Sequence, residues 1–325
     1  MTPTPHDALV KATFSQADNM AGELRAVLPS SLVARIDFAT LQQEPGSFVD
    51  EALKERFTDI LYSARIAGRP SFVYVLFEHQ SGADARMAFR LLRYMVRIWE
   101  GFLKDRPEAT ALPAIVPVVL HHDEGVWKPA TRFEALLDLA PEDLEHFGPF
   151  VPRFGFLLDD LSAVSDEALR DRAMSAFSRL TLTALKHSRS IEDMAAFLLR
   201  TTPLIRELMR SGGGAAALQL LFRYLVQTKP PTDTDALHRV VADLGPEVKE
   251  TIMTMEEWLI QKGEQRGEQK GRVEGARQFL AKLLTLKFGA LVEPALARIQ
   301  AADEATLGRW AERVLSARSL EEVWE

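Results

Sequence analysis

Phe72-Val73-Tyr74-Val75-Leu76-Phe77-Glu78-His79-Gln80-Ser81 is an apolar run that stops abruptly in an acid and an amide. Aromatic and aliphatic residues fill positions 72 to 77 and no helix former dominates, so the segment predicts a strand buried on both faces. Side chains alternate across a strand, which puts Glu78 and Gln80 on one face, roughly 6 to 7 Å apart. The segment Phe57-Thr58-Asp59-Ile60-Leu61-Tyr62 reads as a preceding strand, and Ala67-Gly68-Arg69-Pro70 supplies the turn that folds the two into an antiparallel hairpin. Asp59, nineteen residues before Glu78, is then expected to face it across the pair.

Two carboxylates brought together on adjacent strands repel, and each resists ionising unless a cation lies between them. Mg²⁺ takes one or two protein carboxylates and completes its shell with water and substrate phosphate oxygens, so the spacing points to chemistry on a phosphodiester. A buried strand that ends in polar residues where it meets solvent accounts for the same run, and the run by itself leaves both readings open.

The surrounding elements carry the reading further. Residues 17 to 28 predict a first helix and 34 to 38 a short strand; after the hairpin come a helix from 83 to 104 and a last strand over Leu112-Pro113-Ala114-Ile115-Val116-Pro117-Val118-Val119-Leu120. The order αβββαβ is an α/β arrangement that is similar to the core of the PD-(D/E)xK, restriction-endonuclease-like superfamily. More narrowly, roughly the first two hundred residues resemble the recombination-promoting nuclease family, also labelled as transposases, through motifs that occur together. These are His6-Asp7 with Lys11 and Phe14, Leu28-Pro29, Thr58-Asp59-Ile60-Leu61-Tyr62, Glu78-His79-Gln80-Ser81 followed by Arg90 and Tyr94, and Pro117-Val118-Val119-Leu120-His121-His122 ahead of Trp127.

The resemblance implies a metal-dependent DNA endonuclease in which Asp59 and Glu78 ligate Mg²⁺ and Gln80 completes the catalytic set. The superfamily's usual residue at that third position is lysine. Glutamine orients groups through its amide but cannot remove a proton, so no general base is assigned and water activation falls to the metal. His6, Asp7, Lys11 and Tyr94 are accessory candidates by the same resemblance, although Asp7, ahead of the first expected helix, also suits a helix cap. His79 lies on the face opposite Glu78 and Gln80. His121 and His122 stand beside Asp123, but with no cysteine and seven scattered histidines the chain predicts no zinc site.

Arg86, Arg90, Arg93 and Arg97, spaced by four, three and four, form a basic stripe on the helix after the motif, while Met87, Leu91, Tyr94, Met95 and Ile98 face the sheet. Guanidinium groups suit a nucleic-acid backbone, and a solvated charged face accounts equally for the stripe. The formal charge of −7 argues against a uniformly basic DNA-binding surface, so any DNA contact is expected to be local.

The chain has 325 residues, 47% of them hydrophobic, which suffices for a full core. No apolar run approaches bilayer length and the N-terminus lacks a signal-peptide pattern, so the expectation is a cytoplasmic protein without a membrane partner. The expected organisation is a nuclease core over residues 1–150, a helical extension over 151–229, a boundary over 230–276 and a small helical domain over 277–325. The C-terminal half is thus mostly α-helical, with Gly289 expected at a helix C-cap. Within the boundary, Gly263, Gly267, Gly271 and Gly275 recur every fourth residue. If helical, they line one side at about 1 kcal/mol each relative to alanine, which suggests a seam for a homo-oligomer formed by this tract or by the C-terminal helices; a flexible linker is the other reading. A DNA- or protein-binding module with weak or no cleavage stands beside the endonuclease as the second functional expectation.

Overall fold

The computed structural model describes residues 4–45, 58–78, 84–123, 125–189, 193–229 and 231–324, with the backbone alone at 58–59, 76–78 and 255–270. It divides into two compact units, Met1–Ile252 and Met253–Glu325. The first unit opens with α1 (Pro5–Phe14), α2 (Ala17–Val27) and α3 (Ser30–Val33), followed by β1 (Ile36–Gln43), β2 (Thr58–Ile66), β3 (Arg69–Glu78), α4 (Met87–Asp105) and β4 (Ala114–His121). Beyond these come α5 (Pro141–Phe147), β5 (Leu157–Asp160), α6 (Asp166–Arg170), α7 (Ala176–Lys186), α8 (Met194–Arg200), α9 (Thr202–Met209), α10 (Gly214–Thr228) and α11 (Thr234–Leu244).

Two elements differ from expectation. A helix precedes the one expected at residue 17: Pro5 occupies its first turn, where a missing N–H does no harm, and Thr4 with Asp7 closes a capping box. A fifth strand lies past the expected core, its sequence Leu157-Leu158-Asp159-Asp160 disguised by two aspartates, which are depleted in strands. They are tolerated because each has a partner: Arg172 grips Asp159, and the Trp127 amide donates to Asp160 at 2.7 Å.

The sheet order is β1-β2-β3-β4-β5. The first three strands are antiparallel neighbours, and β4 and β5 add in parallel, so the sheet is mixed and the fold is α/β, consistent with a PD-(D/E)xK-like core. The β2–β3 hairpin turns on Ala67 and Gly68, both at positive φ (51° and 76°), the signature of a two-residue turn whose twist matches the strands. β3 is apolar on both faces because both are covered: Phe72, Val73, Tyr74 and Val75 are all buried. On one face Phe72 and Tyr74 pack with Leu61, Val119 and the α4 residues Met87, Leu91, Tyr94, Ile98 and Phe102. On the other, the Tyr62 hydroxyl donates to the Phe14 carbonyl at 2.7 Å, tying β2 to α1, and its burial pushes its pKa up. α1 in turn packs on α7 and α10, with Thr13 and Thr181 sharing a buried 2.8 Å hydrogen bond. Between α9 and α10, a methyl group on Gly214 would sit 2.0 Å from the Leu208 carbonyl oxygen, so the close turn there requires glycine.

α12 (Pro246–Phe288) is a continuous helix of 43 residues through Gly263, Gly267, Gly271 and Gly275, so the glycine tract is helix rather than linker. Within the second unit, α12 is followed by α13 (Glu293–Ala301), α14 (Glu304–Ser316) and α15 (Leu320–Trp324). Leu280, Leu284, Ile299, Leu307, Val314 and Val323 form that unit's own core, and Trp310 meets Trp324 edge-on at 4.6 Å. Among the described residues, no helix is long and apolar enough to cross a membrane.

Candidate active site

The register of β2 against β3 pairs Asp59 with Leu76 and Thr58 with Phe77. Glu78 therefore stands two positions along β3 from the residue opposite Asp59. The period-two alternation sets positions 59, 76 and 78 on one face, with 59 and 78 diagonal neighbours at about 7–8 Å rather than directly opposed. Gln80 and His79 lie outside the described residues.

The row continues across the parallel strands, where Glu78 is in register with His121 and His121 with Asp160. His121 is 1% exposed and wedged edge-on against Trp127 at 5.0 Å. Its Nε2 lies 3.3 Å from the Gly125 carbonyl, and its Nδ1 has no hydrogen-bond partner among the described residues. The sequence gives no hint of this adjacency, because forty-three residues separate Glu78 from His121 and only sheet pairing joins them. Among the described residues no group of three or more His, Cys, Asp or Glu side chains is arranged to hold a metal ion.

α4 presents its arginines as expected from their spacing, yet they differ in environment. Arg86, Arg93 and Arg97 are exposed, whereas Arg90 is only partly so and forms an ion pair with Asp84 at 3.2 Å. Arg97 pairs with Glu100 at 2.9 Å. Tyr94 is 3% exposed and meets the Tyr74 ring at 5.6 Å, so it belongs to the packing of α4 on the sheet.

The accessory candidates separate likewise. Asp7 accepts from the Thr4 amide at 3.0 Å and the Thr4 hydroxyl at 2.8 Å, the capping arrangement that its type and position suggested. Lys11 is exposed on α1. His6 is drawn inward: its Nδ1 shares a 2.9 Å hydrogen bond with the Tyr224 hydroxyl, and its ring lies 5.3 Å from that of His122, one residue past the end of β4. Burial pushes the Tyr224 phenol up, partly offset by Ser188. Nothing in the sequence around Tyr224 signals this contact, which spans 218 residues. Nearby is a cavity of about 250 Å³ lined by His122, Asp123, Ser162, Lys186, His187 and Arg189 among others. Its basic side chains have carboxylate partners: Lys186 and His187 contact Asp166 at 3.1 and 2.8 Å, and Arg189 contacts Asp123. A larger cavity, about 460 Å³, opens at the other end of the hairpin beside Ser63, Arg65, Ser71 and Arg106, away from positions 59 and 78.

Behind the opposite face of the sheet lies a buried polar triad. Arg172 holds Asp159 with two hydrogen bonds of 2.7 Å, and Glu23 of α2 lies 3.5 Å from the same guanidinium. Burial, reinforced by the neighbouring Asp159, raises the Glu23 pKa well above the usual carboxylate range against the pull of Arg172. The two short bonds go to Asp159, and neither carboxylate oxygen of Glu23 has a hydrogen-bond partner among the described residues.

Residues 4–213 match the family described as "Putative transposase, YhgA-like". Curated relatives are similar over most of their length. Recombination-promoting nuclease RpnC of Escherichia coli (strain K12) is 31% identical over 80% of this chain and 82% of its own. Recombination-promoting nuclease RpnA of the same organism is 32% identical over 81% and 85%. Inactive recombination-promoting nuclease-like protein RpnE, also of that organism, is 29% identical over 93% and 97%. No solved structure matches the chain.

Proposed function

Because this chain belongs to the YhgA-like transposase family, whose relatives named above include recombination-promoting nucleases, we propose that it is a metal-dependent DNA endonuclease acting in recombination, mobile-element movement or defence against foreign DNA. The observation that carries this reading is the β2–β3 register, with Asp59 and Glu78 at diagonal positions of one sheet face. Carboxylates at two such positions would offer a hard-oxygen donor set suited to Mg²⁺. Asp59 and Glu78 are the residues that would hold the ion, which when bound would supply a water of lowered pKa and offset charge on the scissile phosphate. Gln80 contributes a neutral amide that donates to, or accepts from, the attacking water or a phosphate oxygen. The exposed guanidiniums of Arg86, Arg93 and Arg97 bind the backbone of the DNA.

The test is cleavage of supercoiled plasmid with Mg²⁺ by the full chain, beside Asp59→Ala, Glu78→Ala and an EDTA control. Nicked or linear product is expected from the parent, falling to the EDTA background in both variants while circular dichroism and DNA affinity are retained. Cleavage that persists in both variants would remove Asp59 and Glu78 from the site. A second reading, a binding module on the same fold with weak or no cleavage, is supported by the relative named as inactive, which is similar over nearly the whole chain. Absence of cutting with Mg²⁺, Mn²⁺ and other divalent ions, with DNA still bound, selects it.

A further inference from the structure

α4 has three faces, and the site uses only two of them. Opposite the residues that pack on the sheet runs an apolar stripe, Phe89, Val96 and Leu103, at intervals of seven and 49%, 41% and 39% exposed. Leu92 and Trp99, both partly buried, fall between them, giving the alternating three- and four-residue spacing of a helix–helix seam. Leu112, 49% exposed, widens the patch, because the Trp99 indole donates to the neighbouring Pro113 carbonyl at 2.8 Å. Large apolar side chains at regular intervals on an exposed helix are the mark of an interaction surface.

We infer that this stripe is the docking site for α4 of a second copy of the chain, the two helices antiparallel and crossing at Val96. The exposed residues Phe89, Val96 and Leu103 are symmetric about Val96, so Phe89 of one protomer meets Leu103 of the partner subunit, and Val96 meets its own copy on the two-fold axis. Charge decides the direction. Arg93 and Glu100 flank the stripe on the same side, three residues before Val96 and four after it. In the antiparallel pair Arg93 stands level with the partner's Glu100 on the same flank of the seam, and the contact occurs twice; in a parallel two-fold pair the partner's copies of both residues lie on the opposite flank, so the contact cannot form. The existing Arg97–Glu100 pair is exposed at both ends, so it opposes this rearrangement weakly. A two-fold axis perpendicular to the helix pair also keeps both arginine stripes on one side of the dimer, turning two short basic stripes into one longer basic face on a chain of net charge −7.

The chain has no cysteine, so introduced thiols report cleanly. Phe89→Cys and Leu103→Cys chains, co-expressed at full length and oxidised, are expected to cross-link to a species of twice 36.4 kDa, whereas either variant alone gives at most a trace. Adding Val96→Glu to both, which puts like charges on the axis at an exposed position, abolishes the cross-link while circular dichroism stays unchanged. Self-cross-linking of Phe89→Cys, an uncross-linked mixture as when a different segment or protein covers the stripe, or a cross-link that survives Val96→Glu each overturns the assignment. The readout requires neither metal nor DNA, so it stands or falls separately from the nuclease reading.

Discussion

Glu23 is 1% exposed, and burial together with the neighbouring Asp159 raises its pKa well above that of an exposed glutamate. Its folded pKa lies above the reference value of 4.5, so its contribution to stability is full below the unfolded pKa and is lost as pH rises through the folded value. Glu23→Gln keeps the size and shape of the side chain and has no proton to lose. It is expected to raise the urea midpoint of the first unit at about pH 8 and to match the parent at about pH 4; a midpoint difference that does not change with pH would refute the raised pKa. At this scale the sequence was legible in parts. Asp59 and Glu78 announce themselves because acids interrupt or end apolar strands. Glu23, Asp159 and Arg172 do not, since tertiary packing alone relates them, and the same holds for His6 and Tyr224.

At the scale of elements, α4 presents three distinct faces, one buried on the sheet, one basic and one exposed and apolar. Its buried face follows from the spacing of Met87, Leu91, Tyr94 and Ile98, and its basic stripe from the spacing of the arginines, both readable at 3.6 residues per turn. Arg93→Gln with Arg97→Gln removes two of the exposed guanidiniums and leaves the packing of α4 intact. The expected effect is weaker DNA binding across unrelated sequences, with the slope of log K against log[salt] reduced by about 0.9 for each phosphate that is no longer neutralised; anisotropy titrations over a range of salt concentrations measure it. An unchanged slope would assign the stripe to solvation alone. β5 was not legible because two of its four residues are aspartates, and tertiary partners, Arg172 for Asp159 and the Trp127 amide and Ser162 for Asp160, make that composition compatible with a buried strand. α1 was hidden by a proline that is tolerated only in a first turn.

At the scale of the molecule, the two compact units each have their own apolar core, so calorimetry is expected to resolve two transitions. Leu307, 1% exposed in the second core, is the probe: Leu307→Ala costs about 2–5 kcal/mol and lowers the transition of that unit, leaving the other in place. A single transition that shifts as a whole would show the units to be coupled. The sequence by itself determined the α/β class, the hairpin, the amphipathic helix behind it and the helical C-terminal half. Each of these is written in local periodicity and turn chemistry, where neighbours a few residues apart decide the outcome. Only the tertiary structure decided that Asp59 and Glu78 are diagonal rather than opposed, that His121 and Asp160 extend their row, and that Glu23 lies against Asp159. Strand register and burial bring together residues tens to hundreds of positions apart, and no local pattern encodes those distances.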